Sequence, residues 1–245
     1  MTPSTLPEKA ESPGLRYTLG QRLILLGLNY ITLAQALLVV ALFVWPWPHV
    51  WERIGTAAAA LYLAPPLFTR LLFAVLPVKQ GTIALGSRDF FVWWASFNFQ
   101  GLYSRLPMLE ELLRIVPGLY STWLRLWGAK IGRLTYWGAG TKILDRPFIK
   151  IGRDVVFGAG VNLSPHAFTR SADGDQELEL ATVKVGDRAL VGGHTLLSPG
   201  SEIAEGECTH AFLICQPYVV FKNGRRQKPK GTDAPKDRFL DWLQQ

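Results

Sequence analysis

The sequence predicts a mainly β protein whose principal domain is a parallel β-helix, preceded by two transmembrane helices and by amphipathic helices at the membrane interface. Three observations predict it. Large apolar residues recur at every sixth position from Ile131 onward, no Asp, Glu, Lys or Arg occurs between Leu23 and Trp51, and the stretch from Arg88 to Trp127 mixes dense aromatic residues with isolated charges.

Composition sets the bounds. The 245 residues carry 26 Lys and Arg against 19 Asp and Glu, a formal net charge of +7, with 49% hydrophobic and 18% charged residues and nine Trp. A charged content below the ~25% of an average soluble domain excludes a disordered or acidic solvating chain and argues against a purely soluble one. Cys208 and Cys215 are too few for a disulfide framework and lack zinc or redox spacing, so both read as reduced and structural.

Residues 1–20, with Pro3, Pro7 and Pro13, read as a flexible cytosolic lead-in. Residues 21–80 read as a transmembrane hairpin. The run from Leu23 to Trp45 exceeds the ~20 apolar residues that cross a bilayer and is too long for a cleaved signal peptide. Pro46-Trp47-Pro48 ends it and supplies an interfacial aromatic. A second apolar segment, Ile54 to Val78, is weaker, because Pro65-Pro66 would kink it and Arg70 is costly in hydrocarbon unless it snorkels. A second span is preferred to a re-entrant or surface segment. Lys9, Arg16 and Arg22 precede the hairpin, and Lys79, Arg88, Arg105 and Arg114 follow it, whereas the connection holds Arg53 alone. That asymmetry makes the chain an integral protein of the cytoplasmic membrane, with both ends and the later domain on the cytoplasmic side.

In residues 81–127, Phe90-Phe91-Val92-Trp93-Trp94 and Leu112-Leu113 alternate with Arg105, Glu110, Glu111 and Arg125, a mixture suited to amphipathic helices lying in the interface. The other reading is that these helices form the packing base of the next domain.

Residues 128–222 carry the repeat. Ile131, Trp137, Ile143 and Ile149 are six apart; the register slips by two and restarts at Ile151, Phe157 and Leu163; after an insertion it resumes at Val185, Val191, Leu197 and Ile203. The following residue is small in nearly every case (Gly132, Gly138, Gly152, Gly158, Ser164, Gly186, Gly192, Ser198, Ala204), with Leu144 and Lys150 as the exceptions. A fixed short period means a solenoid: one large side chain per face points to the axis, a small residue permits the corner, and three hexapeptides close one triangular coil. Past Ile203 the stretch Cys208 to Phe221 does not read as a regular coil. Residues 223–245 read as a basic tail ending in one short helix from Asp233.

On these residues the sequence resembles the left-handed, hexapeptide-repeat acyltransferase family. Leu124-Arg125-Leu126-Trp127-Gly128-Ala129-Lys130-Ile131-Gly132 is similar to the start of such domains where they follow membrane helices, as in the membrane-attached terminal regions of polylysine-type peptide synthetases. Val185 to His194, with Ser198-Pro199-Gly200, looks like the family's best-preserved coil. The resemblance implies a left-handed helix, a homotrimer, and a groove between neighbouring subunits that takes acetyl-CoA or another acyl-CoA together with the acceptor. It implies a histidine general base near the start of an extruded loop, the place of His166 before the Phe168 to Thr182 insertion. His194 occupies the matching place in its own hexapeptide, as a second acid/base or, preferably, a groove-wall residue. Gly192, Gly193 and Ser198 match positions that line the pantetheine tunnel, though corner-turning explains the glycines equally well. Lys222, Arg225 and Arg226, with Lys228 and Lys230, suit the phosphates of the coenzyme or anionic lipid, or form a solvated tail. His210 reads as packing, and Asp173, Asp175 and Glu177 as loop solvation.

The expected activity is transfer of an acetyl or other acyl group from acyl-CoA to a hydroxyl or amine of a membrane-associated acceptor. The expected partners are membrane lipid and further copies of the chain, with no nucleic acid and no metal. Two rival classes are a non-catalytic membrane scaffold of a biosynthetic assembly and a zinc enzyme on the same coil. The four His lack the close pair that the zinc class uses.

Overall fold

The computed structural model describes residues 17–171 and 176–227. Residues 1–16 of the lead-in expected over residues 1–20, together with Asp173, Asp175 and the tail from Lys228 with its short helix, lie outside the described residues, and the first helix already begins at Leu19.

Four helices form an antiparallel hairpin: α1 (Leu19–Asn29), α2 (Ile31–Val44), α3 (Val50–Tyr62) and α4 (Ala64–Val75). Thr18 and Gln21 close a reciprocal capping box at its start. Pro65 and Pro66 do not kink a helix. They occupy the first turn of α4, where proline costs no hydrogen bond, and the chain breaks just before them at Leu63. The stretches Leu19–Val44 and Val50–Val75, 26 residues each, are long and apolar enough to cross a membrane by length and composition. Their outer faces expose Leu23, Leu37, Phe43, Leu67, Phe68 and Leu71.

A short strand, Gly81–Ala84, leads into α5 (Arg88–Phe99), α6 (Gly101–Arg105), α7 (Met108–Ile115) and α8 (Leu119–Leu126). The interfacial expectation is corrected for most of this region. Phe90, Trp93, Tyr103, Tyr120, Trp123 and Leu124 are buried, and α5, α6 and α8 form a packing base between hairpin and coil. The reason is contact on both sides: α5 is bonded to the hairpin by Trp94 Nε1 to Asn29 Oδ1 at 2.8 Å, and to the coil through Trp93.

From Lys130 the chain winds into a parallel β-helix with three ladders. The first face stacks Lys130–Ile131, Ile149–Ile151, Val183–Val185, Glu202–Ile203 and Val220–Lys222 in parallel, and Arg225–Gln227 closes it antiparallel. The second face stacks Tyr136–Trp137, Val156–Phe157 and Leu190–Val191; the third stacks Lys142–Ile143, Asn162–Leu163, Leu196–Leu197 and Ile214–Cys215. The six-residue repeat thus puts Ile151, Phe157, Leu163, Val185, Val191, Leu197 and Ile203 on the axis, each buried. Adjacent coils approach so closely that a Cβ on Gly132 would stand 2.2 Å from the Gly152 carbonyl oxygen. The register slip is a 3-10 turn, Arg146–Phe148, that leaves the coil to meet the helical base.

Two sequence expectations change. The coil does not decay after Ile203: Thr209, Cys215 and Phe221 continue the period of six, all buried, and Cys208 bridges to Leu190. The regularity was hidden because two of these axial residues are polar or small and the next residues, His210, Gln216 and Lys222, are large. The fold class is also mixed α/β rather than mainly β, since helices hold more of the described residues than strands do. Most strands are only two residues long, because each face of such a coil is short.

The helical base is locked to the first coil by buried charge. Arg146 donates from Nε to Glu110 Oε1 at 3.0 Å and from Nη1 to Gln100 Oε1 at 3.1 Å, and its guanidinium lies among the Tyr103, Trp123 and Trp127 rings. Glu110 also accepts from Tyr120 Oη at 2.6 Å and Arg114 Nη2 at 3.1 Å. Every charge in this buried cluster is partnered, which burial requires. Burial, and after it the Glu110 carboxylate, hold the Tyr120 phenol well above its ordinary range.

Candidate functional site

The insertion after Leu163 is an antiparallel hairpin, His166–Arg170 paired with Gln176–Leu180, and the strand Gly81–Ala84 pairs with Gln176–Leu180 to make a three-stranded sheet. It leaves the coil where the third face turns back to the first. Alternation along the strands sends His166, Phe168, Leu178 and Leu180 to the face that packs on α5. The opposite face carries Glu179, whose carboxylate accepts from Thr82 Oγ1 at 2.9 Å and from the Tyr218 hydroxyl. Burial, then the bond to Glu179, raise the Tyr218 phenol above its ordinary range.

His166 is therefore neither on a loop nor freely exposed. Its side chain is 11% exposed, and its ring meets the edges of Trp93 at 5.0 Å and Phe97 at 5.2 Å between centroids. Nδ1 contacts Asp145 Oδ2, and Asp145 Oδ1 accepts from Trp93 Nε1 at 2.8 Å. Asp145 is 1% exposed and stands in the left-handed region at φ 48°, immediately before the Arg146–Phe148 turn. Neighbouring residues of this turn diverge: Asp145 reaches the histidine, and Arg146 reaches Glu110. With Nδ1–H donating to the Asp145 carboxylate, the imidazole presents its lone pair on Nε2, which has no hydrogen-bond partner among the described residues. A carboxylate in that place fixes the tautomer and stabilises the imidazolium that forms when Nε2 takes a proton.

The other anticipated residues divide between corners. Ser198 lies on the corner of His166, one coil further along, since Ser164 and Ser198 each follow stacked strands of the third face. His194 stands on a different corner, between the second and third faces. It is exposed at φ 57° and stacks on Phe212 with centroids 5.0 Å apart. Gly192 and Gly193 share that corner. The Gly192 amide donates to Thr209 Oγ1 at 2.8 Å, and a Cβ there would stand 2.3 Å from the His210 carbonyl oxygen, so close packing explains this glycine. Corners of a triangular prism point apart, so one protomer does not bring His166 and His194 together.

Lys222 and Arg225 face each other across the terminal strand pair, and Arg226 Nη1 donates to the Ile214 carbonyl at 3.2 Å. The turn between them, Asn223-Gly224, gives its two amides to the Glu207 carboxylate at 2.7 and 3.1 Å. A phosphate there would meet two cations beside one carboxylate. Among the described residues no three His, Cys, Asp or Glu side chains gather as a metal site.

Trp93, Phe97 and Asp145 were not legible as site residues. Their one signal was the irregularity at Leu144-Asp145-Arg146-Pro147, where the repeat rule fails and two charges follow an axial Ile.

No family model matches the sequence, and no curated protein matches it. Solved structures similar to the chain include a maltose O-acetyltransferase from Clostridium difficile 630, at 17% identity over 53% of this chain and 86% of that one, with a TM-score of 0.39. A hexapeptide-repeat acetyltransferase from Vibrio cholerae O1 biovar eltor, complexed with acetyl coenzyme A, aligns at 16% identity over 56% and 92%, with a TM-score of 0.40. An N-acyltransferase from Bacillus cereus, in complex with dTDP and coenzyme A, aligns at 14% identity over 47% and 70%, with a TM-score of 0.34. None of the three is a peptide synthetase. At these levels of similarity the β-helix assignment rests on the chain's own strand ladders.

Proposed function

We propose that the protein is a membrane-attached, acyl-CoA-dependent acyltransferase in which His166 is the general base. The observation that carries this reading is the imidazole at a coil corner, paired through Nδ1 with a buried carboxylate and leaving Nε2 for proton transfer. In the reaction, the acceptor oxygen or nitrogen bonds to the acyl carbon as its proton passes to Nε2, the carbon–sulfur bond breaks, and Nε2 returns the proton to the leaving sulfur, so that the coenzyme departs as its thiol. A base so placed contributes roughly 10²–10⁴-fold.

A homotrimer is the proposed assembly, with the His194 corner, which borders the second face, at the contact between copies. Gly193, Ser198, Lys222 and Arg225 are the residues proposed to contact acyl-CoA. The hairpin is proposed to hold the domain to the cytoplasmic face of the membrane, which makes a lipid-linked or otherwise membrane-confined hydroxyl or amine the acceptor. Comparing lipids and metabolites of a deletion strain with its complemented parent identifies that acceptor. Incubating the purified protein with acyl-CoAs of increasing chain length and this fraction tests the reaction, and absence of acyl transfer from every one of them overturns it.

One observation favours a second reading. The 11% exposure of the His166 side chain suits a purely structural pair that fastens the extruded hairpin to α5 in a non-catalytic scaffold. Under that reading His166→Ala lowers stability, and no acyl transfer is there to be lost.

A further inference from the structure

The helical hairpin is not free along its length. Its proximal part is clasped by the base: Gln21 Nε2 donates to the Gly86 carbonyl at 3.1 Å, Thr32 Oγ1 to the Asn98 carbonyl at 2.8 Å, and Gln35 reaches the Tyr103 hydroxyl at 3.5 Å. On the returning arm Tyr62 Oη donates to the Leu109 carbonyl at 3.0 Å, and Trp123 Nε1 donates to the Tyr62 carbonyl at 2.9 Å. The Tyr103 hydroxyl also donates to the Leu61 carbonyl, so that Ala36 to Val44 and Val50 to Ala60 project beyond these contacts. At ~1.5 Å per residue the two arms reach about 14 and 17 Å, roughly half of a hydrocarbon core of ~30 Å.

Sinking the hairpin further would submerge what holds it. Beside Tyr62 stand α7 and α8, and α7 is joined to the first coil by Arg114 Nη2 to the Thr141 carbonyl at 2.7 Å and by Glu111 to the Gly140 amide at 2.9 Å. That coil exposes Lys130, Arg133 and Lys142, each costly in hydrocarbon. The projecting arms carry two charges, Glu52 and Arg53, and Arg53 is drawn in toward the Trp47 carbonyl at 3.4 Å.

A second observation marks the depth. Helix α7 is apolar on its outer side as well: Leu113 and the side chains of Glu110 and Arg114 are buried, while Met108, Leu112 and Ile115 are 64%, 53% and 73% exposed, and Val116 continues the apolar patch. This patch lies at the foot of the projecting arms and is flanked by Arg105 and Arg125. An exposed apolar strip with basic flanks fits the boundary between headgroups and acyl chains.

We infer that the hairpin enters a single leaflet from the cytoplasmic side, with its Pro46-Trp47-Pro48 tip near the bilayer midplane and α7 resting at the headgroup boundary. The occupant of the exposed apolar surface of the projecting arms and of α7 is therefore one leaflet of lipid. This inference is independent of the acyltransferase reading.

The test uses the full chain in vesicles of phosphatidylcholine and phosphatidylglycerol. A fluorophore is attached at His49→Cys on the tip, or at Leu112→Cys on α7, in a Cys208→Ser background that leaves Cys215 buried. Nitroxide lipids then quench from the headgroup, the upper acyl chain or the chain end. The chain-end nitroxide is expected to quench the tip most, and the headgroup or upper-chain nitroxide to quench α7 most. A tip quenched best from the headgroup means full crossing and overturns the inference, as does a tip that no nitroxide quenches, which means that protein covers it. In sealed cells, labelling of His49→Cys by an impermeant maleimide from outside overturns it as well.

Discussion

Trp93 Nε1 donates to Asp145 Oδ1 at 2.8 Å, joining the helical base to the carboxylate that holds His166. The partners are 52 residues apart in sequence, and both are essentially excluded from solvent. Trp93→Phe keeps the ring and removes the N–H, leaving one oxygen of a buried carboxylate without that donor. The expected loss is about 1–3 kcal/mol, read as a lowered midpoint in chemical denaturation. An unchanged midpoint would show that water takes over the bond.

His166 and His194 should separate in one assay. His166→Ala is expected to keep the assembly and lower turnover by roughly 10²-fold or more, because a base acts in the transition state. His194→Ala is expected to raise KM for acyl-CoA or acceptor with a smaller loss of turnover. If His194→Ala abolishes turnover and His166→Ala spares it, the base is on the other corner.

Self-association is expected through the second face. Its outward side carries Tyr136, Val156 and Leu190, which are 64%, 40% and 45% exposed, whereas the first face turns Lys130, Lys150, Lys184 and Glu202 outward. Apolar residues stacked on one side of a prism suit a partner copy. Leu190→Glu should shift the mass measured in detergent from trimer toward monomer, and Lys150→Glu should not.

The Glu110–Arg146 pair is a structural test of the joint between base and coil. Removing one partner, as in Arg146→Met, leaves the buried Glu110 carboxylate to Arg114 and Tyr120 alone and is expected to cost about 1–3 kcal/mol. Replacing both, with Glu110→Gln as the second change, should recover part of that loss in a double-mutant cycle.

The two cysteines should react at very different rates. Cys208 is exposed, whereas burial pushes the Cys215 thiol up to about 11, so at pH 8 little of Cys215 is thiolate. One thiol per chain should therefore react with a disulfide reagent before unfolding and two after it. Fast reaction of both would show that the last coils open.

The period of six from Ile131 to Ile203, with a small residue after each apolar one, was enough to derive the coil, because packing along the axis is a local rule repeated by every turn. The uncharged run from Leu23 likewise announced the apolar hairpin. Three other features depended on tertiary contact. The burial of α5 and α8 followed from apolar surface arriving on two sides, which no single stretch of sequence displays. The continuation through Thr209 and Cys215 was decided by neighbouring coils, whose ladders hold a small or polar axial residue in register. His166 was legible as a candidate base, but Asp145 and Trp93 were not, since a carboxylate at a repeat irregularity and an indole in an aromatic run acquire their roles only when the coil folds against the helix. The contacts at Gln35 and Tyr62 are of the same kind, since no single stretch of sequence shows that the base clasps part of a run whose composition alone is long enough to cross a bilayer.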